Sequence, residues 1–253
     1  MTRGAYLAEL LVSLAHGLSS LPEPQRIRHA QWLAQQQQPD GGFPGREPGS
    51  DLYYSAFALR ALAVLGQLEG PLAEKATAYL RNQRQRNVSV IDLISLVLAA
   101  RQIELAAGVD PFGDGDDSFA EGNGMARLTE HLERLRTDDG GYAKTAEGSA
   151  GSTYQTVLTT LVYQVLEIPP PGAQAAADFL LAQRRDDGGF VEIRVMRRSG
   201  VNPTAAAVAA LDMLGVELQH REKTIDFVAE LQNEEGGFRA NTRIPIADLL
   251  STF

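Results

Sequence analysis

The sequence predicts an all-α fold: helical hairpins arranged in two concentric layers, apolar helices inside and amphipathic helices outside. Two observations carry this. A Gly-Gly turn followed in three copies by Phe and in one by Tyr recurs along the chain, with its second glycine at Gly42, Gly141, Gly189 and Gly237. The last two intervals are 48 residues each and the first is 99, close to two such intervals. Self-similarity at a fixed period of this size marks a repeat architecture. Between the turns, helix-period segments alternate in character. One type has almost no polar face and is expected to be buried on all sides; the next confines its charges to one side.

The elements follow in order. Residues 5–18 place Leu7, Leu10, Leu11, Leu14 and Ala15 at helical spacing. Pro22 and Pro24 open a second helix over about 24–37, which carries Trp32. After the first glycine pair, Pro44, Gly45, Pro48 and Gly49 make a turn-rich loop, and Ser50 and Asp51 can cap the helix 51–65. That helix has Arg60 as its one charge between Leu52 and Leu65. The next, 71–84, is amphipathic. The alternation continues with apolar 89–106, amphipathic 125–136, apolar 152–166, amphipathic 173–184, apolar 203–214 and amphipathic 219–232. A last inner helix is expected to begin near Pro245, which makes six inner and five outer helices. In each turn the glycines are expected to end the helix and let the chain reverse, and the aromatic to plug the seam between hairpins. A fifth turn belongs at 87–91, where the chain reads NVSVI. The reading is one domain, 1–253. Its final helix lacks an outer partner, so either the native chain is expected to continue or a protein partner or second chain to cover this flank.

Composition narrows the function. A net charge of −9 argues against a nucleic-acid surface. With no cysteine there is neither a disulfide framework nor a thiolate nucleophile or ligand. No run approaches the ~18 apolar residues of a membrane span, and Glu9 interrupts the apolar N-terminal stretch, so a cytoplasmic protein without a signal peptide is expected. The histidines His16, His29, His131 and His220 share no repeat position, which favours structural or surface roles.

Two sets of residues stand out. Arginines gather in the loops before the last two inner helices: Arg184, Arg185, Arg194, Arg197 and Arg198, then Arg239 and Arg243. Guanidinium groups bind phosphate oxygens in bidentate fashion, so these can form an anion site at one rim; local pairing with Asp186, Asp187, Glu234 and Glu235 is the plainer use. Polar and aromatic residues cluster at inner-helix starts: Asp51, Tyr53, Tyr54, Asp92, Tyr154, Gln155 and Asp248. Capping suits Asp51 and Asp248. Tyr53, Tyr54, Phe57 and Tyr154 can line an apolar cavity or fill the core.

The segments PDGGFPGREPGSDLYYSAFALRAL, QRRDDGGF and GGFRANTRIPIADLLSTF resemble the prenyltransferase and squalene-cyclase repeat superfamily, and most of all the β subunits of protein prenyltransferases. The resemblance covers nearly the whole chain. It implies an α/α toroid whose central apolar funnel holds an isoprenoid, with basic residues holding its diphosphate. It also implies where zinc ligands would fall. The family's Asp and Cys pair corresponds to Asn202 and Thr204, and its Asp and His to Asp248 and Ser251; Asp51 with Tyr53 offers another match to the first pair. No thiolate or imidazole stands at these positions, so no cofactor is expected. Asp114-Gly115-Asp116-Asp117, followed by Ser118, resembles the DxDD motif of class II terpene cyclases, in which the middle aspartate, here Asp116, is the general acid.

Three readings follow. The first is an isoprenoid- or prenyl-diphosphate-binding, prenyltransferase-like protein. The second is a cyclase using Asp116 or Asp92 as its acid. The third is a non-catalytic binding or interaction module.

Overall fold

The computed structural model of the protein describes residues 6–83, 90–112 and 123–252. The described chain is helical, and its contacts divide it into two compact units, residues 1–129 and 130–253.

The first unit contains α1 (Tyr6–Leu18), α2 (Glu23–Gln35), a two-residue antiparallel pair β1 (Phe43–Pro44) and β2 (Ser50–Asp51), α3 (Leu52–Val64), α4 (Gly70–Gln83) and α5 (Val90–Ala107). Helix α6 (Asn123–Glu133) crosses the boundary. The second unit continues with α7 (Thr153–Val165), α8 (Ala173–Ala182), α9 (Val201–Met213), α10 (Arg221–Leu231) and α11 (Leu249–Thr252). These positions follow the sequence reading closely, because proline, glycine and the change of period mark both ends of most segments.

In the first unit α3 packs chiefly against α5, with α1 and α2 also against α3 and α4 against α5. Leu59, Leu62, Leu80, Leu96 and Ile103 are all at most 1% exposed and form its core with Tyr79. In the second unit α9 is the hub, touched by α7, α8, α10 and α11. Phe179, Leu180, Phe190, Ala207 and Leu211 fill its core.

Three expectations need correction. The apolar helix α3 is not buried all round: Phe57 is 44% exposed, and Tyr53 and Tyr54 are half-buried. The turn glycines do not end the outer helices. Those close on right-handed residues such as Gln36 and Gln183, and the positive-φ glycine comes several residues later, inside the turn. The last helix begins at Leu249 rather than near Pro245, because Ala247 is still paired in a bridge with Arg239 and Asp248 is the cap. The degenerate turn at 87–91 falls largely outside the described residues.

Candidate functional site

The four turns share one bonding scheme. Its logic decides which polar residues remain available for chemistry. In each, the first glycine has a positive φ (Gly41 +94°, Gly140 +89°, Gly188 +85°, Gly236 +87°) that favours glycine. A side chain folds back to hold the turn: Asp40 accepts from the Gly42 amide at 3.0 Å and from the Ser50 hydroxyl at 2.5 Å. Asp139 accepts from Thr137, Gly141 and Gly151. Asp187 accepts from Gly189 and Ser199. The fourth copy has Glu235 at this place, and Asn233 takes over the bond to the Gly237 amide at 3.0 Å.

The amide of the turn aromatic then donates to a hydroxyl one turn into the inner helix. The pairs are Phe43 to Ser55 at 2.8 Å, Tyr142 to Thr156 at 3.1 Å, Phe190 to Thr204 at 2.9 Å and Phe238 to Thr252 at 2.9 Å. Sequence reasoning missed these hydroxyls. Their constant register after the aromatic was the signal: 14 residues in three copies and 12 in the first, whose loop is shorter.

The candidate carboxylates are mostly committed to capping. Asp51 accepts from the Tyr54 amide at 2.9 Å at the start of α3. Asp248 accepts from the Ser251 amide at 2.8 Å and the Ser251 hydroxyl at 2.9 Å. These bonds hold its carboxyl below the usual carboxylate range and leave it a poor proton donor at neutral pH. The corresponding cap of α7 is Ser152, reinforced from the next copy: Glu192 accepts from the Ser152 hydroxyl and, at 3.2 Å, from the Tyr154 amide. Asp114, Asp116, Asp117 and Ser118 lie outside the described residues.

The positions that the resemblance matches to zinc ligands are in part engaged within the chain. Thr204 is 1% exposed, and its hydroxyl lies between the Phe190 amide and the Gly200 carbonyl, to which it donates at 2.6 Å. Asp248 and Ser251 bond each other. Thiolate and imidazole, the ligands zinc favours, are missing from this set. No group of three or more His, Asp or Glu able to hold a metal ion occurs among the described residues.

The arginines separate into two kinds. Arg184 donates to the carbonyls of Gln219 and His220 and to Thr224, and stacks over Phe190 at 6.0 Å. Arg185 donates to the carbonyls of Arg194 and Met196 at 2.9 and 3.0 Å, which shapes the loop that follows. Arg239 donates to the Leu231 and Glu230 carbonyls and closes the end of α10. Arg194, Arg197, Arg198 and Arg243 are exposed, and no ion pair engages them among the described residues. Arg194 lies at a small cleft of about 130 Å³, lined also by Asp139, Asp178, Phe179, Ala182 and Gln183.

In the first unit, α3 carries a stripe of aromatic and apolar residues with one arginine among them. Tyr53 meets Tyr54 and Phe57 edge-on at 5.5 and 4.9 Å, and the Arg60 guanidinium covers Phe57 at 5.5 Å. Tyr53, Phe57, Arg60 and Val64 share one helical stripe, about 16 Å long at 1.5 Å per residue. At its Val64 end lies a groove of about 300 Å³ between α1, α3 and α5, lined by Leu11, Val12, Ala63, Val64, Leu105 and Gln102 among others. Gln102 is fully buried, and neither atom of its amide has a partner. Tyr154, in the second unit, is 38% exposed at the start of α7.

A partly buried polar cluster also occurs in the second unit. Tyr142 and Tyr163 each donate to one Glu133 oxygen at 2.8 Å, while Arg136 pairs with the other and donates to the Tyr142 hydroxyl at 3.2 Å. Burial first, then the hydrogen bond to Glu133, push both phenols well above their ordinary value.

Helical hairpins joined by glycine turns, with an aromatic face on an inner helix, define the chain as a member of the α/α-toroid class. It belongs to the prenyltransferase alpha-alpha toroid domain family, whose profile matches residues 8–167 and 157–250. Among solved structures it is similar to protein geranylgeranyltransferase-I of Candida albicans in complex with GGPP. The TM-score is 0.71 at 14% identity, over 97% of this chain and 81% of that one. It is also similar to a type II terpene cyclase from Scytonema in complex with geranylgeranyl dihydroxybenzoate. There the TM-score is 0.57 at 17% identity, over 90% of this chain and 70% of that one. A comparison with curated protein sequences finds no match. No helix among the described residues is long and apolar enough to cross a membrane.

Proposed function

We propose that the protein binds an isoprenoid carrying a phosphate or diphosphate group, as a prenyltransferase β-subunit-like protein whose chemistry, if it transfers the prenyl group, does not pass through the family's zinc. The observation that carries this reading is the α3 face. Apolar and aromatic residues are normally turned inward, and a stripe of about 16 Å (about eleven residues at 1.5 Å each) with Phe57 exposed and Tyr53, Arg60 and Val64 half-buried suits a prenyl chain. The groove beside Val64 lies at the lower end of the ~300–1,000 Å³ range of small-molecule sites. Within the second unit, taken by itself, Arg194, Arg197, Arg198 and Arg243 are exposed and available to phosphate oxygens, whereas Arg184, Arg185 and Arg239 bond backbone carbonyls. Both similar structures named above hold a geranylgeranyl compound, which supports the substrate class.

The test compares geranylgeranyl diphosphate with geranylgeraniol by titration. Each charge-assisted bond contributes about 1.5–3 kcal/mol, so the diphosphate should bind at least tenfold more tightly. Replacing Arg197 and Arg198 together by Ala should remove that difference and leave the alcohol unaffected, whereas Phe57→Ala should weaken both ligands alike. Equal affinities of the unmodified protein for alcohol and diphosphate would refute the anion half of the reading. Failure of both to bind would refute the whole.

A further inference from the structure

One core position of the second unit is leucine in two copies of the repeat and glutamine in a third. The residue after each turn aromatic donates its amide back across the turn: Ala143 to the Leu135 carbonyl at 2.8 Å, Val191 to Gln183 at 3.1 Å and Arg239 to Leu231 at 3.0 Å. Leu135, Gln183 and Leu231 thus hold equivalent places, at or just past the ends of α6, α8 and α10. They are 4%, 1% and 0% exposed. The Gln183 Oε1 is buried without a hydrogen-bond partner, a cost that leucine at the same place avoids. The first copy also has a glutamine there, Gln36, but it is half-buried and its amide donates to the Trp32 carbonyl at 3.4 Å. A buried polar group that breaks the rule kept by its equivalents points to function.

Gln183 lines the cleft of about 130 Å³ described above, with Asp139, Asp178, Phe179, Ala182 and Arg194. The copy that follows is in place beside it, since the Val201 amide donates to the Ala240 carbonyl at 3.0 Å. The polar groups of the cleft have unused capacity. Asp178 is exposed and accepts from Gln174 at 2.9 Å through one oxygen. Asp139 serves the turn mainly through Oδ1, while its Oδ2 accepts one bond, from the Gly151 amide at 3.1 Å. Arg194 is exposed, and no ion pair engages it among the described residues. Turning the Gln183 oxygen toward the cleft breaks no hydrogen bond of that atom.

We propose that this cleft binds a small aminocarboxylate, a zwitterion with an ammonium group at one end and a carboxylate at the other. Asp139, Asp178 and Gln183 supply three acceptors, which match the three donors of an ammonium group. Arg194 matches the carboxylate, which a guanidinium binds through two parallel bonds. A bare cation would leave the guanidinium beside it, and a bare anion would meet two carboxylates. The volume is well below the ~300 Å³ at which drug-sized sites begin, so the ligand has few heavy atoms; Phe179 and Ala182 suit its short aliphatic link. The site stands apart from the isoprenoid reading and shares only Arg194 with it.

The test is calorimetric titration of the full chain with glycine, β-alanine and γ-aminobutyrate. Ethylamine and propionate, which each carry one of the two charges, are the controls. Saturable binding of at least one aminocarboxylate is expected, with both controls weaker by about tenfold or more. Gln183→Leu, Asp178→Asn and Arg194→Ala should each weaken that binding by about tenfold or more, because each removes a charge-assisted bond. Gln183→Leu has a second readout: without ligand its Tm should exceed that of the parent, since leucine fills this place in the equivalent copies. No binding of any of the three, or unchanged binding by Gln183→Leu, overturns the proposal. Ethylamine bound as tightly as the aminocarboxylates would overturn the zwitterion in favour of a plain amine. A lower Tm of ligand-free Gln183→Leu would overturn the assignment of the amide to a ligand. None of these compounds contains an isoprenoid, so their failure to bind leaves the isoprenoid reading to its own titration.

Discussion

Replacing Thr204 by Val tests whether the turns are stitched to the inner helices as described. The substitution keeps the shape of the side chain and removes the acceptor of the Phe190 amide at 2.9 Å and the donor to the Gly200 carbonyl at 2.6 Å. Phe190 is 0% exposed and Thr204 1%, so water cannot replace the lost acceptor. An unsatisfied buried donor costs about 1–3 kcal/mol, and about 2 kcal/mol is the expected loss. At about 2–4 °C per kcal/mol for a chain of this size, Tm should fall by about 4–8 °C. The matched control is Thr252→Val, which removes the same pair of bonds from an exposed site, Phe238 to Thr252 and Thr252 to Asp248. Water can take over there, and the loss should be nearer ~0.5 kcal/mol, or about 1–2 °C. Thermal melts by circular dichroism, run on both variants, give the comparison. Equal losses at the two sites, or none at Thr204, would show that the hydroxyl bonds do not hold the turns.

Glu167 has φ +57° at the end of α7, where Gly66 (+69°) and Gly215 (+73°) end α3 and α9. Its neighbour Ile168 makes the same closing bond, to the Tyr163 carbonyl at 2.9 Å, so Glu167→Gly should relieve left-handed strain and raise stability by about 0.5–1 kcal/mol, read as a higher urea midpoint. A lower midpoint would contradict it. Tyr142 and Tyr163 have phenol pKa values raised in the folded state. Their contribution is complete below the unfolded value of about 10 and declines as pH rises beyond it, because the unfolded chain then loses protons that the folded chain keeps. Stability measured between pH 9 and 11 should therefore fall more steeply in the parent than in Tyr163→Phe; parallel profiles would refute the role assigned to the Glu133 cluster.

Helix positions and the alternation of layers could be read from the sequence because they rest on period, proline and glycine. The site was less legible, for physical reasons that particular residues show. Arg185 and Arg197 look alike as symbols, yet one guanidinium is occupied by the Arg194 and Met196 carbonyls. Every residue has a carbonyl, so no pattern of side chains announces that use. Thr204 and Thr156 read as ordinary helix-interior threonines, and only their spacing from the turn aromatic separates them from Thr160, which bonds back along its own helix to Thr156. The exposure of Phe57 on α3 was hidden for the opposite reason: an apolar helix with one face partly open and one buried all round have the same composition. Asn233 replaces the turn aspartate from a different position, a substitution that a fixed motif overlooks.

The capping of α7 by the following copy has a bearing on how the chain is made. The first amide of α7, on Thr153, donates to the Glu192 carbonyl at 2.9 Å, and that of α9, on Val201, to the Ala240 carbonyl at 3.0 Å. Ser152 and its acceptor Glu192 are 40 residues apart. At about 5–20 residues per second, the ribosome delivers the acceptor roughly 2–8 s after the helix that needs it. The starts of α7 and α9 therefore leave the exit tunnel before the carbonyls that complete them, so that these two helices are finished in the direction of translation, one copy in arrears.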